Sequence, residues 1–313
     1  MKTPAVPTLT VDDRVLEAFA ADVGPDQPVC VRGGSTRWAL GGLPADGTVE
    51  VAAPAGIVAI VPDEMIVTVR AGTTVAELHA ALGEAGQRTA LPERGGTVGG
   101  ALVVGESGIG RLGGGHVRDS LLQARYVSAE GRIVTAGGPT VKNVTGFDLC
   151  RVLVGSLGTL GLVAEVILRT RPVPDAQLWL RADGIDPTAV LGACRASSIL
   201  WDGATTWVHL EGYATDVDAQ RAVLGDGFAM AETDGPPVLP AHRRSLSPAA
   251  CAALTPEADG PFVAEIGVGT VHVGSPPELP HVDAGVAELN RRVKASLDPT
   301  GRLNPGRDPL ARP

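Results

Sequence analysis

Seventeen of the 41 glycines in this chain fall between Gly95 and Gly161. That local excess suits a ligand site lined by backbone better than it suits flexible linkers. The densest information lies in residues 139–161, PTVKNVTGFDLCRVLVGSLGTLG. There a polar turn (Asn143, Thr145, Gly146, Asp148) runs into Gly155-Ser156-Leu157-Gly158-Thr159-Leu160-Gly161. Glycines at every third position let a backbone approach a flat or charged ligand closely, because no Cβ stands in the way.

A length of 313 residues is enough for one large or two ordinary domains. A 44% hydrophobic, 19% charged composition is that of a globular protein. The net charge of −9 and the 3% aromatic content argue against nucleic-acid binding, which needs a basic surface and stacking rings. The opening MKTPAVPTLTVDDR has no apolar core of the secretory kind, and the apolar run from Val49 to Pro62 is broken by Pro54 and Gly56. A cytoplasmic location is therefore expected. Cys30, Cys150, Cys194 and Cys251 are far apart and form no CxxC pair, so zinc and iron–sulfur ligation are not expected and four buried thiols are.

Along the chain, Pro28–Arg32 and Met65–Arg70 read as strands that end in glycine turns, and Gly161–Thr170 reads as a long apolar strand. Gln123–Ser128 and Gly131–Thr135 read as a hairpin. Thr74 followed three residues later by Glu77 predicts a capping box opening a helix. After Pro174 the texture changes to amphipathic stretches, and from Val286 a helical spacing (Val286, Leu289, Val293, Leu297) precedes Asp298-Pro-Thr-Gly-Arg-Leu-Asn304-Pro-Gly-Arg307.

Five groups of residues are candidates for chemistry. Arg32-Gly33-Gly34-Ser35-Thr36 follows a strand and offers successive backbone N–H groups to an anion, or else forms a plain strand-to-turn corner. Pro92, then Gly95-Gly96-Thr97-Val98-Gly99-Gly100, makes a second glycine-rich turn, a pattern that read alone is more often structural. Gly108–Gly113 spells GxGxxG, but the glycines and His116 that follow are a poor helix start, so a dinucleotide fingerprint is rejected. Arg118 and Asp119 lie just beyond it. His272, in an alternating strand, is the one catalytic candidate.

The two loops, the Val117-Arg118-Asp119 element and VTGFDL followed by VGSLGTLG together resemble the FAD-linked oxidases of the vanillyl-alcohol oxidase/p-cresol methylhydroxylase type. Within that family they are most similar to the FAD-binding subunits of bacterial glycolate oxidases. The resemblance covers residues 28–174 and 286–307 well and the middle weakly. It implies an α+β fold in which residues 1–174 form a two-subdomain FAD-binding domain. Residues 175–285 would form a reduced α+β cap, and 286–313 a helix and a return segment. The implied FAD-binding set is Arg32, Gly33, Gly34, Ser35 and Thr36; Pro92 and Gly95 to Gly100; Arg118 and Asp119; Asn143, Gly146 and Asp148; Ser156, Gly158, Thr159, Gly161 and Val163; and Asn304. Where some relatives carry a histidine that bonds covalently to flavin, this chain has Ser35, so the FAD is expected to be non-covalent. Gly34→Val and Gly158→Val are expected to abolish flavin retention with little effect on solubility, by filling cofactor space.

In function, the resemblance implies oxidation of a 2-hydroxy acid to a 2-oxo acid, with hydride passing from C2 to a flavin while a base takes the hydroxyl proton. Electrons would go on to an iron–sulfur partner, beside a larger homologous flavin subunit, with contact to a membrane only through partners. Which flavin subunit receives the hydride stays open. No metal is implied, since the HxGDGN-type sequence of related D-2-hydroxy-acid dehydrogenases is absent. Two alternatives remain: a stand-alone FAD-dependent oxidase or dehydrogenase of an alcohol or sugar, and a non-catalytic scaffold that keeps the fold.

Overall fold

A computed structural model describes residues 13–139 and 148–312. Asn143 and Gly146 lie outside the described residues.

The β-branched runs read from the sequence form a five-stranded antiparallel sheet, in the order Ile57–Val61, Ile66–Arg70, Leu162–Arg169, Leu121–Val127, Ile133–Gly137. Its central strand Leu162–Arg169 is buried over seven of eight positions, which explains its unbroken apolar sequence. Helix Val75–Glu84 opens with the capping box expected from Thr74 and Glu77. Such a cap contributes about 1 kcal/mol. It packs Leu78 and Leu82 against Val67, Val69 and Leu168 in the same core as Leu102 of helix Val98–Val104.

On the other side of the sheet, helix Asp13–Val23 buries Leu16, Phe19 and Val23 against Val127, Leu162 and Ala164. A parallel pair, Val29–Val31 with Val49–Val51, completes this layer, and Leu303 bridges to Val29 from the far end of the chain.

Residues beyond Pro174 build a separate seven-stranded antiparallel sheet. Its strands run, in order, Ala231–Thr233, Ala176–Asp183, Thr205–Gly212, Ser198–Trp201, Phe262–Glu265, Thr270–Val273, His242–Ser245. Helices Pro187–Ala193 and Ala214–Phe228 cover its inner face through Val190, Val217 and Leu224.

The chain then returns through helix Ala284–Leu297, whose Val293 and Leu297 pack on the first core while Val286 and Leu289 stay exposed. The return is held by two cations. Lys294 Nζ donates to the Thr159 carbonyl at 2.7 Å and the Leu303 carbonyl at 3.0 Å, and pairs with Asp298. The buried Arg302 guanidinium donates to the carbonyls of Val23, Gly24, Gln27 and Ala129 at 2.7–3.1 Å. These bonds bring Asn304 and Arg307 to the mouth of the two glycine loops. No helix of the described residues is long and apolar enough to cross a membrane.

Candidate functional site

The turn after strand Val29–Val31 and the turn before helix Val98–Val104 lie against each other. A Cβ on Gly34 would come within 2.5 Å of the Gly96 Cα, and one on Gly33 within 2.6 Å of the Thr97 Oγ1. These glycines therefore serve loop-to-loop contact, and the open space lies to one side of the pair. This corrects the expectation for Gly34→Val: the side chain would meet the neighbouring loop before it met a ligand. Gly158 differs again, since its φ of +72° is the left-handed conformation that side chains resist.

The open side is a cleft lined by Gly33, Gly34, Ser35, Thr36, Pro92, Gly95, Gly96, Thr97, Gly100 and Asn304. It continues, through shared residues, into a second hollow that adds Gly99, Gly158, Gly161 and Val163. The sequence-predicted loops thus converge on one groove. Ser35, Leu157 and Asn304 adopt left-handed φ of 56°, 53° and 48°, and all three line the cleft. Backbone strain of this kind in residues other than glycine persists where surrounding structure enforces it and clusters at ligand sites.

Two polar atoms at the cleft are buried without a hydrogen-bond partner, Asn304 Oδ1 and Arg307 Nε. Asn304 is fixed from its other end, its Nδ2 donating to the Leu157 carbonyl and its N–H to the Val29 carbonyl. The Arg307 guanidinium lies over the Trp38 ring at 4.6 Å, with Arg32 over the same ring at 5.0 Å. An orphaned acceptor, a guanidinium with an unpartnered Nε and no ion pair, and a strained loop suit a ligand that is polar, anionic and in part flat. A flavin dinucleotide meets each requirement.

Several expected residues stand elsewhere. Arg32 is exposed and paired with Glu50 at 2.8 Å. Val98 is fully buried in the core, and its N–H donates to Thr73 O. Ser156 and Thr159 are buried and spend their hydroxyls on the Leu153 and Ser156 carbonyls, shaping the turn. Asp148 caps helix Leu149–Leu153. Arg118 is exposed, and Asp119 pairs with Arg151 at 3.0 Å. His272 needs correction as a catalytic candidate. It is 2% exposed, bonded to Glu265 Oε1 at 2.9 Å, and lines none of the hollows along the groove. Both faces of strand Thr270–Val273 are covered, so its alternation did not mark an open side.

Sequence reasoning missed what closes the groove. Glu106 gathers Arg94 at 2.8 Å, Arg37 at 3.3 Å and, from the seven-stranded sheet, Arg243 at 3.6 Å. Burial pushes its carboxyl upward, but Arg243, Arg37 and Arg94 outweigh this and hold it below the usual carboxylate range. Arg243 also donates to Glu265 Oε1 at 3.4 Å, the oxygen bonded to His272, so His272 reaches the cleft only through this relay. Beyond Pro92 and Arg94, which belong to both, the cleft opens into a chamber between the seven-stranded sheet and the segments at Arg88–Arg94 and Gly108–Gly115. His209 lines it, stacked on Trp179 at 4.7 Å, its Nδ1 2.7 Å from Ser197 Oγ and its pKa lowered by burial.

Comparison with known proteins agrees with this groove. Residues 12–137 match the model of an FAD binding domain. Over 228 residues the chain is 32% identical to glycolate oxidase subunit GlcE of Escherichia coli, an alignment covering 67% of this chain and 63% of that protein. The chain carries an FAD binding domain and is similar to the FAD-linked oxidases. It is also 33% identical to a D-lactate dehydrogenase of Archaeoglobus fulgidus over 46% of this chain and 33% of that one. With glycolate oxidase subunit GlcD of Bacillus subtilis it shares 39% identity over 30% of this chain and 20% of that one. An alkyldihydroxyacetonephosphate synthase structure superimposes with a TM-score of 0.68 over 94% of this chain and 73% of that one, at 15% identity, which shows the shared fold. The chain thus spans less than two thirds of these curated relatives. The cofactor of this domain is FAD, and the residues of the groove fit it.

Proposed function

We propose that this chain is the FAD-binding subunit of a glycolate oxidase-like complex that oxidises a 2-hydroxy acid to the 2-oxo acid and passes electrons to an iron–sulfur partner. The observation that carries the reading is the joining of the GlcE-like sequence to a groove in which Asn304 Oδ1 and Arg307 Nε are buried without a partner. When bound, FAD supplies the hydride acceptor. The turns Gly33–Thr36 and Gly95-Gly96-Thr97 would hold its diphosphate through backbone N–H groups, with Arg307 and Trp38 lining the same cleft. Ser35 forms no covalent link. Arg94, held by Glu106, keeps positive charge where the cleft meets the chamber. His209, neutral because burial lowers its pKa, takes the hydroxyl proton of the acid. This function replaces the His272 assignment.

The reading is tested by purifying the tagged chain from cells that make its neighbours, then assaying dye reduction with glycolate. Recovery of a larger flavin protein and an iron–sulfur protein, with glycolate-dependent reduction, supports it. A chain that comes alone, in a preparation inert to 2-hydroxy acids, refutes it. A second reading, a stand-alone FAD dehydrogenase, draws support from the histidine and arginines of the chamber. Turnover of an alcohol or sugar by the isolated chain with a dye would favour that one.

A further inference from the structure

The chamber beside the seven-stranded sheet has a charge balance that the cofactor cleft does not explain. Two of the three carboxylates that line it, or line the hollow that extends it past Arg171, are already held by a guanidinium. Glu211 is held by Arg88 through two bonds of 2.6 and 3.0 Å and Asp119 by Arg151 at 3.0 Å, while the exposed Glu93 lies 3.1 Å from the His79 ring. Three guanidinium groups are left over among the described residues. Arg111 makes no side-chain hydrogen bond or ion pair, and Arg169 Nε is buried without a partner. Arg171 donates only to the carbonyls of Gly113 and Gly114, and burial, then Arg88, lowers its pKa.

Three half-buried guanidinium groups that make no ion pair, of which only Arg171 feels a carboxylate (Glu211) at longer range, stand out in a chain of net charge −9. Bringing like charges together in a cavity is unfavourable unless an anion enters. His116, beside them, holds its pKa down at about 4 through burial and then Arg111, so it stays neutral and adds no charge of its own. The chamber opens onto the cofactor cleft at Pro92 and Arg94.

We infer that this chain has its own site for a small carboxylate, with Arg111 and Arg171 as the anion-binding pair and Arg169 supporting them. The inference rests on the proposed function and goes further, for it names the groups of this subunit that would hold the carboxylate of the acid. Guanidinium forks match a carboxylate in plane and charge, and two from different elements orient it. The hydroxyl-bearing carbon would then lie toward His209 and the cleft.

Calorimetric titration of the purified chain tests this, with oxalate as a non-oxidisable acid and glycolamide as a neutral comparator, before and after FAD is added. Oxalate should bind at least about tenfold more tightly than glycolamide, the usual effect of one charge-assisted bond. Arg111→Gln, which breaks no contact within the fold, should weaken oxalate by about tenfold or more and leave FAD affinity unchanged. Oxalate binding no better than glycolamide, or equally well to Arg111→Gln, overturns the inference. The comparison of the two ligands on the unaltered chain stands even if a variant fails to fold. FAD affinity, read in the same samples, reports separately on the proposed function: FAD binding without oxalate binding defeats this inference alone.

Discussion

Asn304 concentrates the reasoning at the scale of single residues. Its left-handed φ, its bond to the Leu157 carbonyl and its partnerless Oδ1 make it a clamp with one free end. Asn304→Asp keeps the size but sets an oxygen against the Leu157 carbonyl and adds negative charge beside a diphosphate. FAD affinity, followed by flavin fluorescence, should fall about tenfold or more; unchanged affinity would remove Asn304 from the site. His116 gives a pH prediction. In the unfolded chain it takes a proton near 6.5, but in the folded chain only near 4. Between those values the unfolded state binds more protons, so this residue makes stability rise with pH. His116→Asn should flatten urea midpoints measured at pH 4.5, 5.5 and 6.5. An unaltered slope would mean that the ring is charged in the fold. Asn304 was legible in the sequence only through family resemblance. His272 was misread because alternation shows which residues share a face, not whether that face is covered.

Loops and helices set the cleft's shape at the next scale up. The turns at Gly33–Gly34 and Gly95–Gly96 act as one body because backbone meets backbone without intervening Cβ atoms. Gly34→Val should therefore lower the melting temperature as well as FAD retention, overpacking of this kind costing about 1–3 kcal/mol. Wild-type melting with lost flavin would point instead to a side chain standing in the cofactor's space. The local signals here were strong in the sequence: glycine pairs, the Thr74–Glu77 box, the strand at Gly161–Thr170. Which turn would face which was not legible, because contacts such as Arg307 over Trp38 join residues at opposite ends of the chain.

Across the whole molecule, the cleft is closed by charge shared between two sheets. Glu106 holds Arg37 and Arg94 of its own half and Arg243 of the other. Its carboxyl is held below 4.5, so its contribution is full above that pH and is lost as pH falls through the lowered value. Glu106→Gln should cost about 1–3 kcal/mol at neutral pH, less than a fully buried pair because its side chain is 25% exposed. Thermal melts from pH 3 to 7 should also lose part of their acid limb; the same limb in both proteins would mean that Glu106 does not tie the halves together. This network and the chamber beside it were invisible in the sequence, since Arg88, Arg111, Arg171 and Glu211 meet only once both sheets are folded. The claim on which all of this depends is that these loops hold FAD without a covalent bond. It is tested by the absorbance spectrum of the purified chain, alone and after FAD is added, followed by acid precipitation. The account predicts a flavin spectrum whose colour leaves with the supernatant. Colour that stays in the pellet, or a chain that takes up no FAD at all, would contradict it.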